Sequence, residues 1–284
     1  MQTEKVIKNE IQTVQQVKNM LTSLQELYVN RMQKVKDSIL LSRDYYEGLF
    51  FILAEVLHEK EMHFTSDPHT GISQNKQLVI LFSGSKKFAG SVNRTVFNDF
   101  QKYIRENTCE IIVIGKIGRD LLAQHDIKNP HEFFDWAEDS NKTETIRTIA
   151  KRITQYSIVK LFFAQYINLT YQKSLQVNLY EGLKDEIMKK HVVKSKYIYE
   201  PDKTKVTSFF ETRVLEAYLY HTLQELYLAL IGSRVYRMEE SSVNAKKLLK
   251  VLDHLHTVTS KNRKNRDQLS NVTRVVNIKK SYSI

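Results

Sequence analysis

Apolar residues recur every seven positions through the first forty residues of the chain. One line of this repeat consists of Ile7, Val14, Leu21, Tyr28 and Val35, and a second consists of Ile11, Val17, Leu24, Met32 and Ile39. A seven-residue repeat held over four heptads is typical of a coiled-coil helix, because it keeps one apolar seam facing a partner. Since apolar residues continue past the first glycine, Gly48, we expect a helix of roughly 55 residues, about 80 Å long.

The C-terminal part of the chain shows the same kind of pattern. Its apolar lines consist of Met238, Ala245 and Leu252; of Leu248, Leu255 and Leu269; and of Val272, Val275 and Val276. A helix with a single apolar seam cannot bury that seam alone, so the two terminal helices most simply pack against each other. We therefore predict an antiparallel coiled coil formed by residues 1–61 and 203–284.

The middle of the chain, residues 62–202, has a different pattern. Short apolar runs at 78–82, at 111–115, which ends in glycine, and at 157–163 are typical of strands buried on both faces. Helical stretches at about 92–106 and 117–125 alternate with these runs, which predicts βαβ units and a mostly parallel sheet. Residues 62–76 read as the linker into this domain, and residues 197–202 as the return to the last helix.

Composition restricts the class of protein. Hydrophobic residues make up 42% of the 284 residues and the formal net charge is +11. A single cysteine, Cys109, excludes an internal disulfide framework and a multi-cysteine zinc site. No apolar run approaches the 18 or so residues of a membrane span, and the first residues lack the apolar core of a secretory signal. We therefore expect a soluble intracellular protein that docks onto something larger.

Candidate catalytic motifs are incomplete. The loop at 83–91 lacks the spacing G-x-x-x-x-G-K-[ST] of a phosphate-binding loop, so a strand-to-helix turn is the simpler interpretation. His58 and His63 are one residue too far apart for an H-E-x-x-H zinc site. We expect no catalytic residue, cofactor or metal; an α/β enzyme would instead need a ligand-lined pocket near Gly84 and Gly90.

Basic charge is concentrated at the C-terminal end. Residues 257–284 carry seven basic residues and one acid, and Lys261, Arg263, Lys264 and Arg266 form the densest group. Such a group is either a solvated helix face or a surface for acidic protein loops or phosphates. A basic coiled coil that binds nucleic acid is the alternative of another class, but the chain has no recognition motif and no basic surface interleaved with aromatic residues.

The motifs, in this order, resemble the gamma subunit of F-type rotary ATPases, the central shaft of ATP synthase. Residues 7–15, 31–34 and 42–45 are similar to that family's opening helix, with its I-x-S-V, K-M-x-K and S-R-P-Y elements. Further similarities lie at 82–93 (S-D-R-G-L-C-G-G-L-N in the family), at 199–202 (Y-E-P), and at 233–238 with 242–245 (A-R-M and N-A). The resemblance implies an α/β fold in which a Rossmann-like domain, residues 62–202, is inserted between the helices of an antiparallel coiled coil.

The chain also departs from the family pattern. Its loop keeps only Ser83, Gly90 and Asn93 of the family motif, and residues 262–271 lack the acidic residues of the family's closing motif. These departures identify a divergent member. The alternative is a gamma-like paralogue in a specialised ATPase that uses hydrolysis for other mechanical work, such as cell-surface motility, without proton pumping.

The resemblance further implies a non-catalytic subunit and a set of partners. These are a hexameric ring of alpha- and beta-type subunits, an epsilon-type subunit, and a membrane rotor or its substitute. The chain itself would not span the membrane, and the complex would lie in the cytoplasm at the inner face of the cell membrane. Candidate contacts with the ring are Lys261, Arg263, Lys264 and Arg266, with Arg31, Lys34 and Lys36 on the first helix as further candidates.

Overall fold

The structure, a computed structural model, describes residues 4–58, 76–127, 131–138, 143–188, 200 and 202–281. The elements are α1 (Glu4–His58), β1 (Gln77–Phe82), α2 (Val92–Glu106), β2 (Glu110–Ile114), α3 (Lys116–Gln124), β3 (His131–Phe134), α4 (Thr143–Ile153), β4 (Ile158–Tyr166), β5 (Gln172–Asn178), α5 (Leu179–Met188) and α6 (Lys203–Ser281). The long terminal helices, the three apolar strands and helices α2 and α3 confirm the sequence-based predictions. Most of the two predicted connecting segments, 62–76 and 197–202, lies outside the described residues.

A five-stranded sheet forms the centre of the middle segment, with the order β3-β2-β1-β4-β5. Strands β1, β2 and β3 pair in parallel and β1 pairs with β4 in parallel, whereas β5 is antiparallel to β4. The prediction of a mostly parallel sheet is therefore confirmed. Strands β3 and β5 and helices α4 and α5 were not predicted.

The chain divides into two compact units, which we describe separately. The coiled-coil unit comprises residues 1–27 and 237–284, and the α/β unit comprises residues 28–236. Helices α1 and α6 each contribute residues to both units. The sequence-based domain bounds of 1–61, 62–202 and 203–284 stay a prediction.

In the coiled-coil unit the two helices run antiparallel. Arg263 Nη1 lies 2.7 Å from Glu4 Oε2, and at the other end Gln25 Nε2 donates to Glu239 Oε2 at 2.9 Å. The most buried seam residues are Ile7, Met238 and Leu252. The seam of α1 follows alternating steps of four and three residues from Ile7, as expected for heptads.

Part of the predicted seam was wrong. Val17, Leu248 and Leu255 are exposed, because each lies one residue away from the position that the alternating steps place in the seam. Lys18, Leu249 and His256 occupy those positions and are half-buried. Leu269, Val272 and Val275 are also exposed, at 68%, 60% and 54%; they lie beyond Arg263, which already pairs with Glu4 at the start of the described part of α1.

The core of the α/β unit contains more than the sheet and its own helices. Phe50 and Leu53 of α1 and Leu226 of α6 belong to the same apolar cluster as the strands. A smaller cluster joins Met32 of α1 to Leu228, Ile231 and Val235 of α6. In this unit the terminal helices therefore bury apolar faces against the sheet as well as against each other.

Candidate functional site: the joint between a strand loop and the C-terminal helix

The loop after β1, residues 83–91, is called here the β1 loop. Its first residues are held against the neighbouring loop, because Ser83 Oγ donates to Ile114 O at 2.9 Å and accepts from Gly118 N at 2.8 Å. The backbones approach so closely that a Cβ on Gly115, whose φ is +96°, would lie 2.1 Å from Ser83 O. Only glycine tolerates that combination of conformation and distance.

A buried carboxylate, Glu138, fills the centre of the β1 loop. Its Oε1 accepts from the amides of Ser85 at 2.8 Å and Lys86 at 3.0 Å. Both of its oxygens also pair with the guanidinium of Arg234, at 2.7 and 2.9 Å. Arg234 donates further to the carbonyl oxygens of Lys86 and Lys87, at 3.0 and 3.1 Å. Both charged side chains are fully buried, and the two-pronged geometry is the strongest form of such a pair.

This pair connects three parts of the α/β unit. Arg234 belongs to α6, Glu138 follows β3, and the ring of Tyr28 on α1 lies 5.5 Å from the Arg234 guanidinium carbon. The hydroxyl of the adjacent Ser233 donates to Ala89 O at 3.0 Å, which adds a third bond between α6 and the β1 loop. We call this set of contacts the loop–helix joint.

The loop–helix joint determines whether the backbone amides of the β1 loop are available to bind an anionic ligand. Backbone amides at the carboxyl end of a buried strand are the groups that bind phosphate in nucleotide-binding folds. Here the amides of Ser85 and Lys86 already donate to Glu138, so the protein's own carboxylate occupies the place of an anionic ligand. The loop acts as an anchor for α6, in keeping with its interpretation as a strand-to-helix turn.

The outer end of the β1 loop presents an aromatic side chain. Phe88 is 75% exposed and adopts a φ of +68°. A left-handed conformation is uncommon for a bulky residue and costs of order 1 kcal/mol or more, so it persists only where the surroundings enforce it. The flanking bonds to Lys87 O and Ala89 O from α6 supply that enforcement.

The predicted contact residues of α6 lie in the coiled-coil unit. Lys261, Lys264 and Arg266 are exposed on the helix surface. Arg263 is also largely exposed, but its guanidinium pairs with the carboxylate of Glu4. The other oxygen of that carboxylate, Oε1, lies 3.7 Å from His256 Nε2.

The predicted contact residues of α1 lie in the α/β unit. Arg31 and Lys34 line a cleft between α1, α4 and α6, and the Arg31 guanidinium lies 5.6 Å from the ring of Tyr28. Lys36 Nζ lies 5.8 Å from the ring of Tyr166. The structure thus brings Arg31 and Lys34 to one cleft and places Lys36 elsewhere.

Sequence reasoning missed the role of the Arg234–Glu138 pair. A signal was present in α6, where Arg234 follows the apolar residues Leu230 and Ile231 at the spacing of one helical face. An arginine on an otherwise apolar face requires a buried partner. The sequence does not indicate which acid that partner is, because Glu138 lies 96 residues away.

The fold and the site define a class of protein. In the sequence, two long helices flank an α/β segment whose sheet is mostly parallel, and a buried ion pair joins the second long helix to Glu138, which follows β3. Within the described ranges, no group of three or more His, Cys, Asp or Glu side chains could hold a metal ion. An α/β segment inserted between two long terminal helices is the architecture of a central-stalk subunit of a rotary ATPase.

Comparison with known proteins identifies the family. A family model described as ATP synthase matches residues 3–264. The ATP synthase gamma chain of Clostridium botulinum (strain Langeland) is 24% identical over 265 residues, covering 87% of this chain and 88% of its own length. That of Pelotomaculum thermopropionicum is 21% identical over 252 residues, covering 86% and 87%. The chain belongs to the gamma-chain family of ATP synthases.

Solved structures share the fold. A chain of the central stalk and c-ring of Tetrahymena thermophila mitochondrial ATP synthase superimposes with a TM-score of 0.57 at 15% identity, covering 78% of this chain and 99% of that chain. A chain of the Euglena gracilis mitochondrial enzyme gives 0.56 at 13% identity, with coverage of 94% and 96%. Among the described residues, none of the helices has the length and apolar character needed to cross a bilayer.

Proposed function

We propose that this chain is the non-catalytic central shaft of an F-type or F-type-like rotary ATPase. In this role it transmits torque between a ring of alpha- and beta-type subunits, where ATP is handled, and a membrane rotor or its substitute. An epsilon-type subunit and the rotor would contact the α/β unit, on the cytoplasmic side of the membrane. Family membership and the two long helices support this assignment.

The loop–helix joint is the observation that carries the proposal. A shaft must pass a twisting force from its sheet domain to its helices without slipping. The joint holds α6 to the β1 loop through three bonds to backbone carbonyls, two from Arg234 and one from Ser233. Two buried charge-assisted bonds hold Arg234 to Glu138, which in turn accepts from two amides of the loop. Close-packed apolar cores resist deformation as well, and the core of the α/β unit includes residues of α1 and α6.

Contact with the ring is proposed for the basic end of α6. As the shaft rotates, the angular position of this end of α6 would favour different conformations in successive catalytic subunits. Rotation would then be coupled to ATP turnover by differential contacts rather than by chemistry on the shaft. Lys261, Lys264 and Arg266 are exposed on α6, and acidic surfaces of the ring would attract them. Phe88 at the outer end of the β1 loop is a second proposed contact, since it is fixed in place yet 75% exposed.

The test has two stages. A tagged chain is first purified from its own cells, and a hexameric ATPase is expected to co-purify with it; recovery of the chain without any ATPase would contradict the shaft assignment. The second stage compares two triple charge reversals on α6. Lys261, Lys264 and Arg266 are changed to Glu in one variant, and the exposed Lys246, Lys247 and Lys250 in the control.

The first triple variant is expected to weaken assembly or to uncouple ATP hydrolysis from rotation, and the effect should increase as salt is lowered because exposed charges are less screened. The control carries the same change in charge on the same helix. Unchanged assembly and coupling in the first variant, or an equal loss in both, would reject the proposed contact while leaving the shaft assignment to the co-purification result.

A further inference from the structure

A cleft of about 310 Å³ opens within the α/β unit. Its walls come from α1, α4, α6 and the carboxyl ends of β2 and β3, represented by Val35, Ile149, Leu223, Ile114 and Trp136. This volume falls at the lower end of the range of about 300–1,000 Å³ found for small-molecule sites. Of the residues named for the loop–helix joint, Glu138 also belongs to the described lining of the cleft.

The cleft lies at the edge of the sheet formed by the carboxyl ends of the parallel strands, beside β2 and β3 rather than at the switch point between β1 and β4. In open α/β sheets, ligands bind outside the carboxyl ends of the parallel strands. Phe82, Ile114 and Phe134 mark those ends and pair in register across β1, β2 and β3. Glu138 fills the place directly after β1, and the cleft lies beside it, at the ends of β2 and β3.

The walls of the cleft select a ligand with an apolar, planar body. Trp136 and Tyr227 meet edge to face, with ring centroids 6.1 Å apart, and Tyr220 adds a third aromatic ring to the lining. Aromatic side chains recognise flat apolar groups through stacked and edge-to-face contacts. Ser38, Thr145 and Gln224 supply only uncharged polar groups.

The charges of the cleft select a negatively charged ligand. Arg31 and Lys34 are the cationic side chains of the lining, and Lys34 is exposed. Among the described residues of the lining the acid is Glu138, which the buried guanidinium of Arg234 neutralises. This described part of the lining therefore carries net positive charge, in the same cleft as the aromatic walls.

We propose that this cleft binds a small amphipathic anion, an aromatic ring system carrying one acidic group, with the rings packed against Trp136, Tyr220 and Tyr227 and the acidic group beside Arg31 and Lys34. The ligand would touch α1, α4 and α6 together. Occupancy would stabilise their packing, because a ligand that binds only the folded arrangement favours it by mass action. The proposal does not depend on the proposed shaft function.

The test uses a fluorescent probe of this chemical class, 8-anilinonaphthalene-1-sulfonate, titrated against the purified full chain. Thr145→Trp places a large side chain at the half-buried edge of the cleft, and Thr148→Trp makes the same change at an exposed position of α4. We expect Thr145→Trp to weaken probe binding by about tenfold or more, and Thr148→Trp to leave it within about twofold.

A second pair of variants tests the charge. Lys34→Glu is expected to weaken probe binding by about tenfold, whereas Lys102→Glu, an exposed residue of α2, is expected to leave it unchanged. The uncharged probe N-phenyl-1-naphthylamine should bind more weakly than the sulfonate. Circular dichroism confirms that each variant is folded, and a Thr145→Trp chain that fails to fold leaves the Lys34→Glu comparison decisive.

Probe affinity that is equal in Thr145→Trp and Thr148→Trp would overturn the proposal, because binding would then lie elsewhere on the chain. Equal affinity in Lys34→Glu and Lys102→Glu, or tighter binding of the uncharged probe, would overturn the assignment to an anion.

Discussion

The buried pair of Arg234 and Glu138 has an exposed counterpart that begins three residues further along α6. Arg237 Nη1 lies 2.8 Å from Glu240 Oε2, nearly the same distance as in the buried pair, but both of these side chains are 46% exposed. Exposed ion pairs contribute little because water and salt screen them. Removal of one member of a buried pair leaves an uncompensated charge in the interior.

We therefore expect Arg234→Met to lower the free energy of unfolding by about 3–5 kcal/mol, and Arg237→Met by at most about 1 kcal/mol. Urea denaturation of both variants and of the unmodified chain measures the difference. Similar losses in the two variants would mean that the buried pair has no special part in holding the β1 loop to α6.

Glu225 on α6 gives a pH dependence of stability. Burial raises the pKa of this carboxyl group above its ordinary value, while a backbone hydrogen bond from Tyr166 opposes the shift. The folded chain therefore holds its proton at pH values where the unfolded chain has lost it. Stability falls as the pH rises from the unfolded-state pKa through the folded-state pKa.

Glu225→Gln removes this ionisation. The variant is expected to gain stability relative to the unmodified chain at pH 7, and the gain should disappear below pH 4, where both states of the unmodified chain are protonated. Denaturation midpoints between pH 4 and pH 7 measure it, with the exposed substitution Glu106→Gln as the control. A gain that is the same at every pH would show that ionisation of Glu225 is not its cause.

At the scale of the elements, two glycines inside long helices have opposite surroundings. A Cβ on Gly48 of α1 would meet nothing within 4 Å, whereas a Cβ on Gly232 of α6 would lie 2.7 Å from Cε2 of Tyr166. Alanine is intrinsically better than glycine in a helix by roughly 0.8–1 kcal/mol. Free space allows that gain in α1, and the ring of Tyr166 on β4 opposes it in α6.

Gly48→Ala is expected to raise the free energy of unfolding by about 0.5–1 kcal/mol, and Gly232→Ala to lower it. In a chain that also carries Tyr166→Ala, Gly232→Ala should become neutral or stabilising, because the ring that it meets is gone. Thermal or urea unfolding of the single and double variants measures both effects. A loss that persists without the ring would place its origin elsewhere than in the contact between α6 and β4.

The elements show where sequence patterns suffice and where they fail. Strand β1 could be predicted because it is an unbroken apolar run buried on both faces. Edge strand β5, with the polar sequence QKSLQVN, could not, because its half-buried face is fixed by pairing with β4 rather than by its own residues. In α6 the predicted seam residues Leu248 and Leu255 are exposed, and the true seam positions lie one residue further along the helix. The pattern misled because these two exposed leucines are also seven residues apart.

At the scale of the whole molecule, the contacts that make a site join residues far apart in the chain. The loop–helix joint brings Lys86 and Glu138 to Arg234. The family resemblance could place the loop and the arginine in the chain, but hydrophobic spacing carries no information about which acid is paired with which base. For the same reason the cleft, whose lining comes from three helices and the ends of two strands of the α/β unit, could not be predicted from the sequence.

The last part of α6 is the clearest case in which stability and function should separate. Leu269, Val272 and Val275 lie on the helix beyond the Glu4–Arg263 pair and are more than half exposed. Exposed substitutions of this kind change stability by no more than about 0.5 kcal/mol. If the chain is the proposed shaft, a partner covers these apolar side chains in the assembled complex.

Changing Leu269, Val272 and Val275 together to Ser should therefore leave the denaturation midpoint of the isolated chain nearly unchanged and reduce its recovery with the hexameric ATPase. The control changes the exposed Val6, Met20 and Val29 of α1 to Ser. A stability loss above about 1 kcal/mol in the first variant would mean that these residues pack within the chain. Full recovery with the ATPase would mean that the complex leaves them uncovered, because a partner that buries apolar side chains loses that contribution when they become polar.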